Sequence, residues 1–193
     1  MSSNELKSSA INLENGQRFT VKGNHVLIEC ESDSDTFGSG IIKHEAYKKY
    51  SRRGWIRQSG GVFVGLAKVE VRLGDVVYYD SYTGQDVEMN KQDYKIIAPE
   101  NLLCKVDGDS LIVIGKRTIV TPIENEDKKT DGGIILSVAQ QEKYSDVGVV
   151  VDSDVYNKGE KVLLSPYGYS QILLDGKTYF IVNTEDILGE ING

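Results

Sequence analysis

The chain has 193 residues, 39% hydrophobic and 26% charged, which is enough for one medium domain or two compact ones. Its 22 Lys and Arg stand against 29 Asp and Glu, and the net charge of -7 disfavours a general affinity for nucleic acid or anionic membranes. No stretch approaches the ~20 consecutive apolar residues of a membrane span, residues 1–16 lack the blocks of a signal peptide, and Cys30 and Cys104 lie outside any Cys-x-x-Cys pair. These features predict a cytoplasmic protein with no membrane partner, no disulfide framework and no structural zinc.

In chain order, short β-branched or aromatic runs recur between Gly, Asn and Asp. They are Arg18–Val21, Val26–Cys30, Asp75–Tyr79, Tyr94–Ile97, Leu111–Ile114, Val147–Val151, Lys161–Leu164 and Thr178–Val182. The pattern predicts an all-β protein. Only Glu45–Tyr50 hints at a helix, with too few apolar positions for an amphipathic face.

Sliding the C-terminal half over the N-terminal half exposes a repeat. At an offset of 85, Gly74-Asp75-Val76-Val77 falls on Gly159-Glu160-Lys161-Val162, Tyr94 on Tyr179, Ile96 on Ile181, Glu100 on Glu185 and Leu103 on Leu188. Earlier in each half the offset is larger: Gly40-Ile41-Ile42 falls on Gly133-Ile134-Ile135 at 93, and Val26-Leu27-Ile28 on Thr118-Ile119-Val120 at 92. The second copy therefore lacks 8 residues between its Gly-Ile-Ile and its Gly-Glu-Lys. The reading is a polar leader over residues 1–17, a first domain over 18–107 and a second over 108–193. The join near Val106–Asp109 is too short to be a free linker.

The second copy resembles the small co-chaperonin (GroES, ten-kilodalton chaperonin) family along its whole length. Gly115–Glu124 looks like the family's first strand, Asp131–Leu136 like the tip of its mobile loop, Lys158–Leu163 like the strand after its roof, and Tyr179–Leu188 like its closing segment. The first copy is a looser relative, with Lys43 at the third apolar position of its loop. The resemblance implies two tandem GroES-like irregular antiparallel β-barrels with mobile loops and roof hairpins. It implies a co-chaperonin that caps a group I, GroEL-type chaperonin ring in an ATP-dependent cycle and helps unfolded clients fold inside the cage. ATP would be bound by the partner and the chain itself would hold no cofactor. The alternative is a structural or adaptor protein that reuses the barrel without binding a chaperonin.

The loop can also be argued physically. Residues 124–133 are charged and glycine-ended and cannot bury enough surface to order themselves. They carry Ile134-Ile135-Leu136, each able to contribute ~1.5 to 3 kcal/mol when buried in a groove, offset by the ordering of the segment. Several weak loops on one ring give avid yet reversible capping. Gly132, Gly133, Ile134, Ile135 and Leu136 are thus the main chaperonin-binding candidates, with Gly40, Ile41 and Ile42 as the weaker set; a buried strand over 132–138 is the other reading of that run.

Family rings close by pairing the last strand of one domain with the first strand of the next. Leu102–Val106 and Leu111–Ile114 would imitate that contact inside the chain. The outer edges, with Phe19 and Val21 at one end and Ile187, Leu188 and Ile191 at the other, would close a homo-oligomeric ring of three or four chains. The missing residues fall at the family's roof hairpin, so Asp152–Lys158 reads as a tight turn and Ser59–Val71 as a short excursion, giving an open-topped ring. That reduced roof, with no targeting sequence, points to a virus of bacteria and the host cytoplasm, with a plastid stroma as the alternative.

The segment Glu45–Arg57 gathers basic and aromatic side chains, a pattern that stacking on single-stranded nucleic acid would use; the plainer reading is a solvated loop. Catalysis finds no support. His25 and His44 have no second-ligand spacing for a metal, and Gly108–Arg117 departs from a phosphate loop in both spacing and its last residue. A dehydrogenase barrel would need a Gly-x-Gly-x-x-Gly half and zinc-ligand cysteines that this sequence lacks.

Overall fold

The structure, a computed structural model, describes residues 10–31, 52–60, 71–124, 144–166 and 168–191. The described residues form strands, two 3-10 turns and connecting segments, with no α-helix. The chain divides into two compact units, Met1–Gly115 and Lys116–Gly193.

In the first unit, β1 (Ile11–Asn12) and β2 (Arg18–Phe19) make a small hairpin. Next come β3 (Val26–Cys30), β4 (Arg52–Ser59), β5 (Val76–Tyr79), β6 (Gln85–Met89), β7 (Gln92–Ile97), β8 (Leu102–Asp107) and β9 (Ser110–Val113). They form one antiparallel sheet in the order β6-β7-β3-β4-β5-β8-β9. The second unit has β10 (Arg117–Glu124), β11 (Tyr144–Ser153), β12 (Lys161–Leu164), β13 (Tyr169–Leu174), β14 (Lys177–Asn183) and β15 (Ile187–Ile191), in the order β13-β14-β10-β11-β12-β15. Every pairing is antiparallel.

Each unit has its own core, built from the inward set of alternating side chains. In the first unit Val26, Ile28, Ile56, Val77, Tyr79, Ile97 and Leu102 cluster with Ile114. In the second, Val120, Val150, Val162, Leu164, Phe180 and Val182 do so.

The repeat read from the sequence recurs in the strand register. Val26↔Ile97 and Leu27↔Ile96 in one unit match Thr118↔Val182 and Ile119↔Ile181 in the other. Val77↔Lys105 and Tyr78↔Cys104 match Val162↔Glu190 and Leu163↔Gly189. Even the irregularities coincide: the bulge after Leu27 has its counterpart after Ile119, and that after Tyr78 its counterpart after Leu163. Equivalent two-residue turns close the β6–β7 and β13–β14 hairpins, and both residues of each are left-handed: Asn90 (φ 53°) and Lys91 (φ 61°), Asp175 (φ 49°) and Gly176 (φ 76°). Such turns match the right-handed twist of the flanking strands.

The register also places the length difference. Sixteen residues, 60–75, join β4 to β5, whereas seven, 154–160, join β11 to β12; the second copy carries one extra residue before this link, so the nine lost here leave a net deficit of 8. The shorter link is a self-satisfied turn. Ser153 Oγ accepts the N–H groups of Val155 (3.2 Å) and Tyr156 (3.3 Å), Glu160 accepts that of Asn157 (2.9 Å), and Gly159 takes φ 92°.

One reading needs revision. The end of the basic segment is not a solvated loop: Arg52–Ser59 is a strand with partners on both sides, β3 and β5. Its sequence conceals this because the glycine and arginines of Arg52-Arg53-Gly54-Trp55 mask the alternation that puts Gly54 and Ile56 inside. At the join, the two strands expected to meet inside the chain, Leu102–Val106 and Leu111–Ile114, lie side by side. Gly108, at φ 58°, and Asp109 form a two-residue turn, which holds β9 antiparallel against β8 with Cys104↔Val113 and Val106↔Leu111 in register. By the repeat β9 opens the second copy; in the structure it completes the first unit's sheet. The helical hint at Glu45–Tyr50 lies outside the described residues.

Candidate functional site

The residues expected to bind a chaperonin, Gly132, Gly133, Ile134, Ile135 and Leu136 in one copy and Gly40, Ile41 and Ile42 in the other, lie outside the described residues. The strands on either side of them are described. Glu124, the last residue of β10, lies directly opposite Tyr144, the first of β11, so the segment between them leaves and returns at one point of the sheet. Tyr144 meets Phe180 edge-on, with centroids 5.3 Å apart and planes at 87°, and donates to Thr178 Oγ1 at 3.3 Å. Tyr169 stacks on the same ring at 3.9 Å and 11°. Each such aromatic pair adds about 0.5–1.5 kcal/mol beyond area burial. Burial, with the negative charge of Asp146 second, pushes the Tyr169 hydroxyl up, which keeps it neutral.

The equivalent point in the first unit is built from different chemistry. Glu31 N–H donates to Arg53 O at 3.0 Å, and Cys30 faces Gly54 across the strands. There is no room at Gly54 for a side chain, since a Cβ would lie 2.5 Å from Glu29 O and from Ile28 Cγ2. Behind this pair Tyr79 donates a buried hydrogen bond to Cys30 Sγ at 3.1 Å, and burial pushes both groups up, so the thiol is no nucleophile. Lys95 stands where the other unit has Phe180. Its ammonium is buried and donates to Asp86 Oδ1 (2.9 Å) and Ser81 O (3.0 Å).

Two of the three arginines of β4 lie beside carboxylates. Arg57 Nε donates to Glu29 Oε2 at 2.7 Å, a bond that raises the guanidinium's pKa further, and Arg53 lies 3.6 Å from Glu31. This portion of the basic segment is therefore not a bare positive surface for nucleic acid. Among the described residues no group of three or more His, Cys, Asp or Glu is placed to hold a metal.

The ring-assembly candidates are all described. Ile187, Leu188 and Ile191 lie on β15, the outermost strand of the second sheet. Leu188 is 64% exposed and Ile191 42%, and Leu163 on the neighbouring β12 is 37% exposed. In the first unit, where β9 lies along the matching edge, the equivalents of Leu188 and Leu163 are Leu103 at 5% and Tyr78 at 4%. At the other end of the chain, Phe19 and Val21 are not a bare edge. Their side chains pack with Leu27, Met89 and Tyr94, and β1 runs along one side of the strand, with Ile11 opposite Phe19. The Asn15-Gly16 turn signal could have revealed this hairpin in the sequence; nothing local pointed to the buried Gln58, which holds the same segment.

The comparisons with known proteins agree with this duplication. A family model described as "Chaperonin 10 Kd subunit" matches twice, over residues 19–106 and 110–191. The chain is 37% identical over 87 residues to the Co-chaperonin GroES of Thermosipho africanus, which covers 42% of this chain and 96% of that protein. Similar figures hold for the Co-chaperonin GroES of Thermotoga neapolitana, 35% over 88 residues, covering 42% and 95%, and for that of Thermosipho melanesiensis, 38% over 84 residues, covering 40% and 92%. Each relative thus spans one copy's worth of this sequence. With both of its all-β units matched by the model, the chain belongs to the ten-kilodalton chaperonin subunit family, as a tandem of two GroES-like domains.

Proposed function

We propose that this protein is a co-chaperonin that closes into a ring of its own copies and caps a GroEL-type chaperonin, with ATP handled by the chaperonin and unfolded clients held beneath the cap. The family membership and the relatives' names support the co-chaperonin role. One observation carries the ring: the edge that β9 covers in the first unit has no strand along it in the second among the described residues, and apolar side chains buried at the one are exposed at the other. An exposed strand edge flanked by leucines invites a further strand.

The β8–β9 hairpin supplies the register. Carried over by the repeat, it sets Gly189 of β15 opposite Val21 of the next chain, Glu190 opposite Thr20 and Ile191 opposite Phe19. Head-to-tail closure of a two-domain chain makes three or four chains a ring of six or eight positions. The domain boundary proposed for this arrangement is that of the repeat, near residue 108, so that β9 acts as the second domain's first strand. The seven-residue link between β11 and β12 supports a cap with little roof.

Ile134-Ile135-Leu136 would anchor the cap to the chaperonin, with Ile41-Ile42 as a second, weaker contact and the base at Tyr144 fixing where the main loop starts. Native mass spectrometry of the protein, alone and with a sevenfold chaperonin plus ATP, tests the reading. A closed oligomer that adds to the chaperonin only with nucleotide is expected, and Ile135→Asp should abolish that addition with the melting temperature unchanged. A protein that ignores the chaperonin under all conditions sinks the capping role and leaves an adaptor.

A further inference from the structure

The family match begins at residue 19, so most of the β1–β2 hairpin lies outside the matched residues. It closes on itself, Leu13 N–H donating to Gln17 O at 2.8 Å and Gly16 N–H to Leu13 O at 2.9 Å. It is also fastened to the domain behind it. Ile11, Leu13 and Phe19 pack against Leu27, Met89 and Tyr94. Asn90, at the tip of the β6–β7 turn, accepts from Glu14 N–H (3.0 Å) and donates to Asn12 O (2.8 Å).

The closest attachment is Gln58. Its side chain is fully buried, its Oε1 accepts Val21 N–H at 2.8 Å, and its Nε2 donates to Phe19 O at 3.2 Å. One amide thus binds the strand as a neighbouring strand would. The repeat aligns Gln58 with Asp152, whose partner Ile119 is the equivalent of Leu27. A carboxylate accepts but does not donate, so the bidentate grip belongs to the first domain alone.

The side of the strand that is gripped follows from the alternation of an antiparallel ladder. The Leu13–Gln17 bond makes Asn12–Arg18 a non-bonded pair and Ile11–Phe19 a bonded one. The backbone groups of Phe19 and Val21 therefore face β1 and Gln58, while those of Arg18 and Thr20 face away; Thr20 has no hydrogen-bond partner among the described residues. On β9 the two-residue turn makes Asp107–Ser110 a bonded pair and Lys105–Ile112 the next. Ser110 and Ile112 are the equivalents of Arg18 and Thr20. The groups that β9 uses toward β8 are those that β2 and its continuation leave open.

We propose that Gln58 and the β1 hairpin form an assembly clamp: they occupy one edge of the segment Arg18–Val21 and hold the other edge open, in register, for β15 of a second copy. This rests on the ring reading above. β9 needs no such clamp because its partner β8 is attached to it by a two-residue turn; Arg18–Val21 must wait for its partner from solution.

The test uses the full chain, wild type, Gln58→Leu and Asn90→Ala, by sedimentation velocity over a concentration series and by amide hydrogen exchange. The wild type should assemble, with the Val21 amide protected at all concentrations and the Thr20 amide protected only on assembly. Gln58→Leu should raise the midpoint concentration for assembly at least tenfold and expose the Val21 amide in the dissociated chain. Should Gln58→Leu fail to fold, the exposed Asn90→Ala decides, with a rise of about threefold expected. Assembly of the deciding variant at the wild-type midpoint overturns the clamp while leaving the ring intact. A wild type that stays a single chain at every concentration overturns the ring and the clamp with it.

Discussion

Leu103 and Leu188 occupy the same position in the two domains, yet one is 5% exposed and the other 64%. Fully burying a leucine contributes about 1.5–3 kcal/mol, so covering Leu188 as Leu103 is covered would contribute roughly six-tenths of that, about 1–2 kcal/mol per ring contact. Leu188→Ala should therefore weaken each contact about 5- to 30-fold and leave the single chain as stable as before. Leu103→Ala should behave in the opposite way, costing about 2–5 kcal/mol of folding stability. Sedimentation velocity over a concentration series reads the first effect, and urea unfolding below the assembly threshold reads the second. If Leu188→Ala assembled like the wild type, or lowered the unfolding midpoint as far as Leu103→Ala does, the argument that a strand from another copy covers β15 would be wrong.

Further outcomes follow from single positions. Lys91 holds φ 61° where its equivalent in the other domain is Gly176, so Lys91→Gly should stabilise the first domain by about 0.5–1 kcal/mol in urea unfolding. Gly54→Ala forces a Cβ to within 2.5 Å of Glu29 O and should cost about 1–3 kcal/mol, read as a lower melting temperature. Burial, against a smaller opposing effect of the Tyr79 bond, raises the Cys30 thiol above its ordinary value, so it should resist iodoacetamide at pH 8 until the protein is unfolded; rapid alkylation of the folded chain would contradict this. Two bonds from Asn157, first from the side chain at 2.7 Å and then from the backbone at 2.9 Å, hold the Glu160 carboxyl below its ordinary 4.5. A lowered folded value means that its contribution is present at neutral pH and lost as pH falls through that value, so Glu160→Gln should flatten the acid limb of the melting-temperature profile.

Much of the fold is legible because it is written twice. Gly74 and Gly159 sit at one offset in the sequence and both take a positive φ, 89° and 92°, while Ile96 and Ile181 sit at the same offset and at matching register in the sheets. The strands that were legible, such as Val26–Cys30 and Lys161–Leu164, carry short apolar runs between turn residues. β4 was not, because Gly54 and the arginines around it take their places from cross-strand neighbours on β3 and β5 rather than from local periodicity.

The sequence by itself therefore determined an all-β chain, its duplication, its family and the shortened link in the second copy, because each is recorded in local composition or in a constant offset. Only the tertiary structure decided that Leu188 is exposed where Leu103 is buried, and that Gln58 reaches back to Val21 and Phe19. It also decided that Arg57 and Arg53 of β4 lie beside Glu29 and Glu31. These depend on residues distant in the chain. Burial and pairing of that kind depend on which strand comes to lie alongside which, and a local pattern does not carry that choice.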